Sequence, residues 1–213
     1  MRRVIEVRFK SVSAITRKFG NSQILEIASG LSSRGIEFTS KPKNVYVETD
    51  LPEVLTGKRR IVEQILKKRN LSRPNLFLNF ANALNSEELC RNADLLSKPL
   101  TVVCEGLLSN LSFSGMRDVV SNIWQLLSER GGVFVTPDFF NSQQRQQSLA
   151  NESQTHTFEN DDEIFNFISD SGFKFERFLQ SELVSSISCK LKFDREELNR
   201  QIENRYVYKL EVK

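Results

Sequence analysis

Short apolar runs alternate with segments whose apolar residues recur every three or four positions, and this alternation persists through the first 170 residues. QILEIASG brings a strand at Ile24–Ile27, followed by NVYVETDL (44–51), NLFLNFAN (75–82), LTVVCEGL (100–107) and GGVFVTPDFF (131–140). The early runs are near-continuous in Val, Ile, Leu and Phe, as strands buried on both faces must be. Helical spacing marks residues 1–20 (Ile5, Val12, Ile15, Phe19), then Pro52 to Lys68, Ser86 to Leu96, Ser114 to Leu127 and Asp161 to Ser169. Pro52 suits a first helical turn, and Ser114 can cap the helix that carries Met116, Val119, Val120, Ile123, Trp124 and Leu127 on one face. The chain is therefore expected to be one α/β domain over 1–213, a doubly wound and mostly parallel sheet with helices on both faces. A polar loop spans 141–160, and FKFERFLQ (173–180) with RYVYKLEV (205–212) suggests a hairpin-like edge. DREELNRQIEN between them reads as helical and solvated.

Charge excludes some partners. With 30 basic and 27 acidic residues the net charge is +3, too small to imply a nucleic-acid or membrane-surface partner. The basic run from Lys58 to Arg69 is interrupted by Ile61, Val62, Ile65 and Leu66 at helical spacing, so it reads as a solvated helix face. Three widely spaced cysteines without a CxxC (Cys90, Cys104, Cys189) argue for reduced thiols in a cytoplasmic setting and against a zinc site. No apolar run approaches the roughly 18 residues of a membrane span, and no signal peptide opens the chain. The single histidine, His156, falls in a polar stretch and reads as a solvated loop residue.

In open parallel sheets, ligands bind outside the carboxyl ends of the strands. Here those ends carry Ala28-Ser29-Gly30, then Glu48 and Asp50, then Asn82, then Glu105. An acid ending the second strand suits a ribose diol, and an Asn ending the third can accept from an adenine amine. One glycine stands where dinucleotide fingerprints have three, which favours a nucleoside without phosphates over NAD. Arg8 sits inside the apolar stripe 5, 8, 12, 15, 19 and so needs a partner, because an unpaired buried guanidinium is costly; a snorkelling side chain or an internal ion pair would also satisfy it.

ILEIASGLSSRG, VYVETDLPEVLTGKR, FANALNSEEL and VVCEGLLSNLS resemble, in order and spacing, the leucine carboxyl methyltransferase-like family of class I S-adenosylmethionine-dependent O-methyltransferases. The resemblance covers roughly residues 5–140; its most specific parts are the E-x-D-L-P-x-V-x-x-x-K and E-G-L-L runs. It implies a Rossmann-like sheet of the class I methyltransferase type with an antiparallel C-terminal strand, and S-adenosyl-L-methionine as cofactor. It assigns Arg8 to the cofactor's methionine carboxylate, Ala28 and Gly30 to the turn beneath it, and Asp50, with Glu48 beside it, to the ribose. Asn82 and Ala83 fall to the adenine side and Glu105 to the methionine end. The sequence departs from the family's pattern at Ala28-Ser29-Gly30 (usually G-A-G), at Ser32-Ser33 before Arg34 (usually an acid and a threonine), at Asn82 (usually Asp) and at Asn110 (often Tyr).

The expected function is methyl transfer to a carboxylate or hydroxyl oxygen of a small molecule, with no catalytic residue assignable. The alternative is an S-adenosylmethionine-binding protein with degenerate or regulatory activity. Nucleic-acid methylation is disfavoured, because no N-P-P-Y-type run follows the fourth strand.

Overall fold

The computed structural model describes residues 2–146, 156–186 and 202–213. Cys189, most of DREELNRQIEN and the centre of the 141–160 loop lie outside the described residues. The strands form one sheet: β1 (Gln23–Ile27), β2 (Val45–Asp50), β3 (Leu76–Phe80), β4 (Leu100–Cys104), β5 (Gly132–Thr136), β6 (Phe173–Leu179) and β7 (Tyr206–Val212). Their order is β3-β2-β1-β4-β5-β7-β6. Strands β1 to β5 run parallel, and β7 is antiparallel to both of its neighbours. The chain moves outward from β1 to β2 and β3, then returns to place β4 against the other side of β1. That reversal opens a crevice at the carboxyl ends of β1 and β4.

Side-chain alternation along each strand sorts the core into two layers. On one face Ile24, Tyr46, Val103 and Val135 pack with Val12 and Ile15 of α1 (Arg2–Phe19) and Phe38 of α2 (Arg34–Phe38). On the other, Leu25, Val47, Val102 and Phe134 meet α4 (Ser86–Ala93), α5 (Phe113–Arg130) and α7 (Asp161–Asp170) through Leu89, Met116, Ile123 and Ile164. The remaining helices are α3 (Pro52–Lys68), α6 (Ser142–Gln146) and α8 (Gln180–Ser186).

The closing strands do form an antiparallel pair at the edge of the sheet, β7 lying between β5 and β6, while three other expectations change. Val207, Tyr208 and Leu210 are fully buried, whereas β6 is largely exposed or half-buried, so the more apolar strand takes the interior position. The continuous apolar run of β3 lies at an edge, leaving Phe77 and Phe80 exposed. The cap of α5 is Ser112, whose hydroxyl accepts from the Gly115 amide at 3.2 Å, because the helix starts at Phe113 and Ser114 already lies in its first turn. Trp124 leaves the buried stripe of α5 to cover Gly172, where a Cβ would come within 2.4 Å of the indole nitrogen. Pro52 does open α3, as its missing N–H allows.

The turn into β5 depends on Gly132, which has φ of +118° and where a Cβ would lie 1.8 Å from the Leu100 carbonyl oxygen. Gly132→Ala forces backbone apart at the β4–β5 pairing and should cost about 3 kcal/mol or more. Urea denaturation of the soluble fraction measures it; a variant as stable as wild type contradicts this packing.

Candidate functional site

A cavity of about 540 Å³ opens at the crevice, walled by Ile5, Glu6, Arg8 and Phe9 of α1, by Glu26 and the turn Ala28–Ser33 after β1, and by Glu105 and Gly106 after β4. Of the residues expected at a site, Arg8, Ala28, Gly30 and Glu105 meet there. The turn is left-handed twice, at Ala28 (φ +52°) and Gly30 (φ +48°). A non-glycine residue in that region costs on the order of 1–2 kcal/mol, so Ala28 needs support from its neighbours. Thr49 and Asp50 of β2 supply it: the Ser29 amide donates to the Thr49 carbonyl at 2.9 Å and the Gly30 amide to Asp50 Oδ2 at 2.6 Å. Asp50 Oδ1 also accepts from the Leu51 amide at 2.8 Å. Each oxygen keeps a lone pair for a hydroxyl donor. A Cβ built on Gly30 meets nothing within 4 Å, so the turn presents a bare backbone floor to open space.

The charged walls form one network. Arg8 Nε donates to Glu105 Oε1 at 3.0 Å, the internal partner its place in an apolar stripe requires. Arg8 keeps about a quarter of its side-chain surface in contact with solvent. Its terminal N–H groups lie beside Gly106 at the cavity wall. Arg34 has none: its guanidinium bridges Glu26 of β1 and Glu105 after β4, its Nε donates to Ser13 Oγ at 3.0 Å, and it lies over the Phe9 ring. The Tyr46 hydroxyl donates to Glu26 at 2.9 Å. Burial opposes the charge on Arg34, but its carboxylate neighbours outweigh burial and raise its pKa further. Sequence reasoning missed Glu26 and this use of Arg34. The available signal was an acid inside the otherwise apolar ILEI, which can only be buried with a counter-ion.

Glu48 lies beneath the turn, not in the cavity. It accepts from the Gly35 amide at 3.1 Å and pairs with Lys58 Nζ at 2.7 Å. Lys58 is only 2% exposed, which corrects its reading as part of a solvated face: it sits on the inner side of α3 with Leu55 and Val62. Desolvation first, and the charge of Glu26 second, push the Glu48 carboxyl up to about 7 against the opposing pull of Lys58.

Asn82 and Ala83 follow β3, two strands from the cavity. Asn82 is exposed, its Oδ1 accepting from the Leu84 amide at 3.0 Å, and the Ala83 carbonyl accepts from Asn122 Nδ2 at 3.0 Å. A second unforeseen residue is Asp138, after β5. It is buried and accepts from the Gly106, Leu107 and Leu108 amides at 2.8–3.0 Å, holding the E-G-L-L run in place. Asn110 fastens the same turn through the Gly106 carbonyl at 2.7 Å. His156 is half-buried, not solvated: it packs on Phe113 and Phe158 at ring distances of 4.4 and 4.7 Å. It lines a separate groove of about 760 Å³ between α5 and α7, which contains none of the expected site residues.

Two measurements test this electrostatic account. Arg34→Met leaves the buried Glu26 carboxylate without its counter-ion and Glu105 with Arg8 alone, and should cost about 3–5 kcal/mol in urea denaturation; a loss under about 1 kcal/mol contradicts the bridge. Folded Glu48 keeps its proton to about pH 7, whereas the unfolded chain releases it near 4.5. Stability should therefore fall as pH rises between those values, by up to about 1.4 kcal/mol per unit, and level off above. Glu48→Gln, which mimics the protonated form, should flatten that fall; an unchanged slope would show that another group controls it.

No family model matches the chain, and no curated protein matches it significantly. Solved structures do. The methyltransferase domain of bacterial CtHen1 aligns over 98% of this chain and 99% of that one at 10% identity, with a TM-score of 0.63. Magnesium protoporphyrin IX methyltransferase from Synechocystis PCC 6803, solved with bound SAH, aligns over 96% and 82% at 12% identity and a TM-score of 0.59. Human N-acetylserotonin methyltransferase in complex with SAM aligns at 13% identity and a TM-score of 0.58. There the alignment takes in 99% of this chain but only 52% of the human one. At such identities the likeness is one of fold: the chain has the mixed seven-stranded α/β fold of class I methyltransferases.

Proposed function

We propose that the chain binds S-adenosylmethionine in the switch-point cavity and transfers its methyl group to an oxygen of a small molecule. The observation that carries this reading is the donor set around one bare turn. Arg8 offers a cation at one wall, Gly30 an open backbone floor, and Asp50 a carboxylate braced beneath it. The volume suits a nucleoside-sized ligand. Arg8 would hold the methionine carboxylate, Ala28 and Gly30 would underlie the ligand, Asp50 would accept from the ribose hydroxyls, and Asn82 with Ala83 would flank the adenine. Glu105 would stand at the methionine end with Arg8. Glu48 would act through Lys58 beneath the turn. When bound, the cofactor supplies an electrophilic sulfonium methyl.

The chain's own contribution is to bind, orient and exclude water. Each acid lining the cavity is ion-paired: Glu6 with Lys10, Glu26 with Arg34, and Glu105 with Arg8 and Arg34. None is placed to act as a free base, which favours an acceptor already ionised at neutral pH, a carboxylate, over a hydroxyl. The finer resemblance, to the leucine carboxyl methyltransferase-like family, draws support from the same place. Its two most specific runs supply Asp50, Glu48 and Lys58 around the turn and the Asp138-bound segment after β4. The unpaired thiols Cys90 and Cys104 suit a cytoplasmic setting.

Calorimetric titration with S-adenosylmethionine and S-adenosylhomocysteine tests the reading. Wild type should bind both, and Arg8→Ala or Asp50→Ala should each weaken binding about tenfold to hundredfold through loss of a charged hydrogen bond. A folded wild type that binds neither compound removes the proposal. Binding without turnover on a panel of carboxylic acids moves it to a cofactor-binding protein without transfer activity.

A further inference from the structure

We propose that Lys58 is a positioning residue for the turn that underlies the cofactor, acting through Ser29; this rests on the cofactor reading above. Its Nζ donates to Ser29 Oγ at 2.9 Å and approaches the Ser29 carbonyl oxygen at 3.4 Å, while pairing with Glu48 at 2.7 Å. Lys58 and Glu48 are 2% and 1% exposed, and Ser29 5%.

An ammonium in so dry a place is expensive, and well-packed apolar residues often replace a buried ion pair at no loss of stability. Support for α3 alone therefore does not require it. What an apolar residue cannot do is orient a peptide. Ser29 lies between two left-handed residues, and only one of those is a glycine. Two of its polar groups point to Lys58, and its amide is held by Thr49. The Ser29–Gly30 peptide is thereby turned so that the Gly30 amide reaches Asp50 and the Gly30 α-carbon faces the open cavity. Four contacts from β2 and α3 thus do what glycine freedom alone does not: they keep one conformation of a turn rich in alternatives. Glu48 holds the ammonium from below, which gives the buried carboxylate at the end of β2 a role in cofactor binding without contact.

The test uses the full chain with both members of the pair replaced, Lys58→Met with Glu48→Gln, so that no orphaned charge remains to unfold it. Backbone amide exchange followed by NMR reports the turn without cofactor, and calorimetry with S-adenosylhomocysteine reports binding. The expected result is amide exchange at Ser29 and Gly30 at least roughly tenfold faster, with β1 and β4 core amides unchanged, and a Kd raised about tenfold to hundredfold. Ser29→Ala on the wild-type background should reproduce part of the loss and add little on the double variant, since both act through one contact. Wild-type affinity in the double variant, or an affinity loss accompanied by faster exchange throughout β1 and β4, would overturn the positioning role and leave the cofactor reading intact. A wild type that fails to bind at all would defeat the cofactor reading itself, and the positioning role with it.

Discussion

The guanidinium of Arg34, cut off from solvent, joins the two strands between which the crevice opens. Glu26 belongs to β1 and Glu105 follows β4, and these are the strands between which the sheet's winding reverses. A planar cation that bridges buried Glu26 and half-buried Glu105 fixes both in direction as well as in charge. Glu105 is thereby aimed so that its other oxygen meets Arg8, the cavity's own cation. Removing the bridge would leave Glu26 in a dry site without its counter-ion and Glu105 with Arg8 alone, so the wall depends on it.

Around that bridge, polar anchors replace the glycine freedom that such a turn usually relies on. Asp50 and Lys58 hold the turn after β1 from the β2–α3 side, and Asp138 gathers three amides of the turn after β4 from the β5 side. Both loops that wall the cavity opposite α1 are thus pinned by buried charged groups beside them. The arrangement leaves the cavity's acids committed to ion pairs, which is why binding and orientation, more than proton transfer, are what its residues are placed to perform.

Much of this was legible in the sequence. Continuous apolar runs alternating with helical spacing gave away the parallel strands β1, β2, β4 and β5 and their covering helices, because burial on two faces imposes that composition. Arg8 within an apolar stripe signalled that its charge needed a partner. Other features were not legible. The apolar run of β3 reads like its neighbours yet lies at an edge, because position in the sheet depends on strand order and not on composition. Lys58 shares a run with exposed basic residues, and only the packing of α3 on β2 separates it from them. Asp138 looks like an ordinary turn residue until the E-G-L-L segment is seen folded over it.

The sequence by itself determined the fold class, the carboxyl-end location of the strand-borne candidate residues, and the need of Arg8 for a partner. Those follow from local periodicity and from the cost of isolated charge, which act on short stretches of chain. Tertiary structure alone decided which charge meets which: that Arg34 joins Glu26 to Glu105, that Glu48 turns away from the cavity to Lys58, and that β7 enters between β5 and β6. Each of those pairings spans residues far apart in the chain. Their energies depend on distance and desolvation in the folded interior, quantities that no stretch of sequence carries on its own.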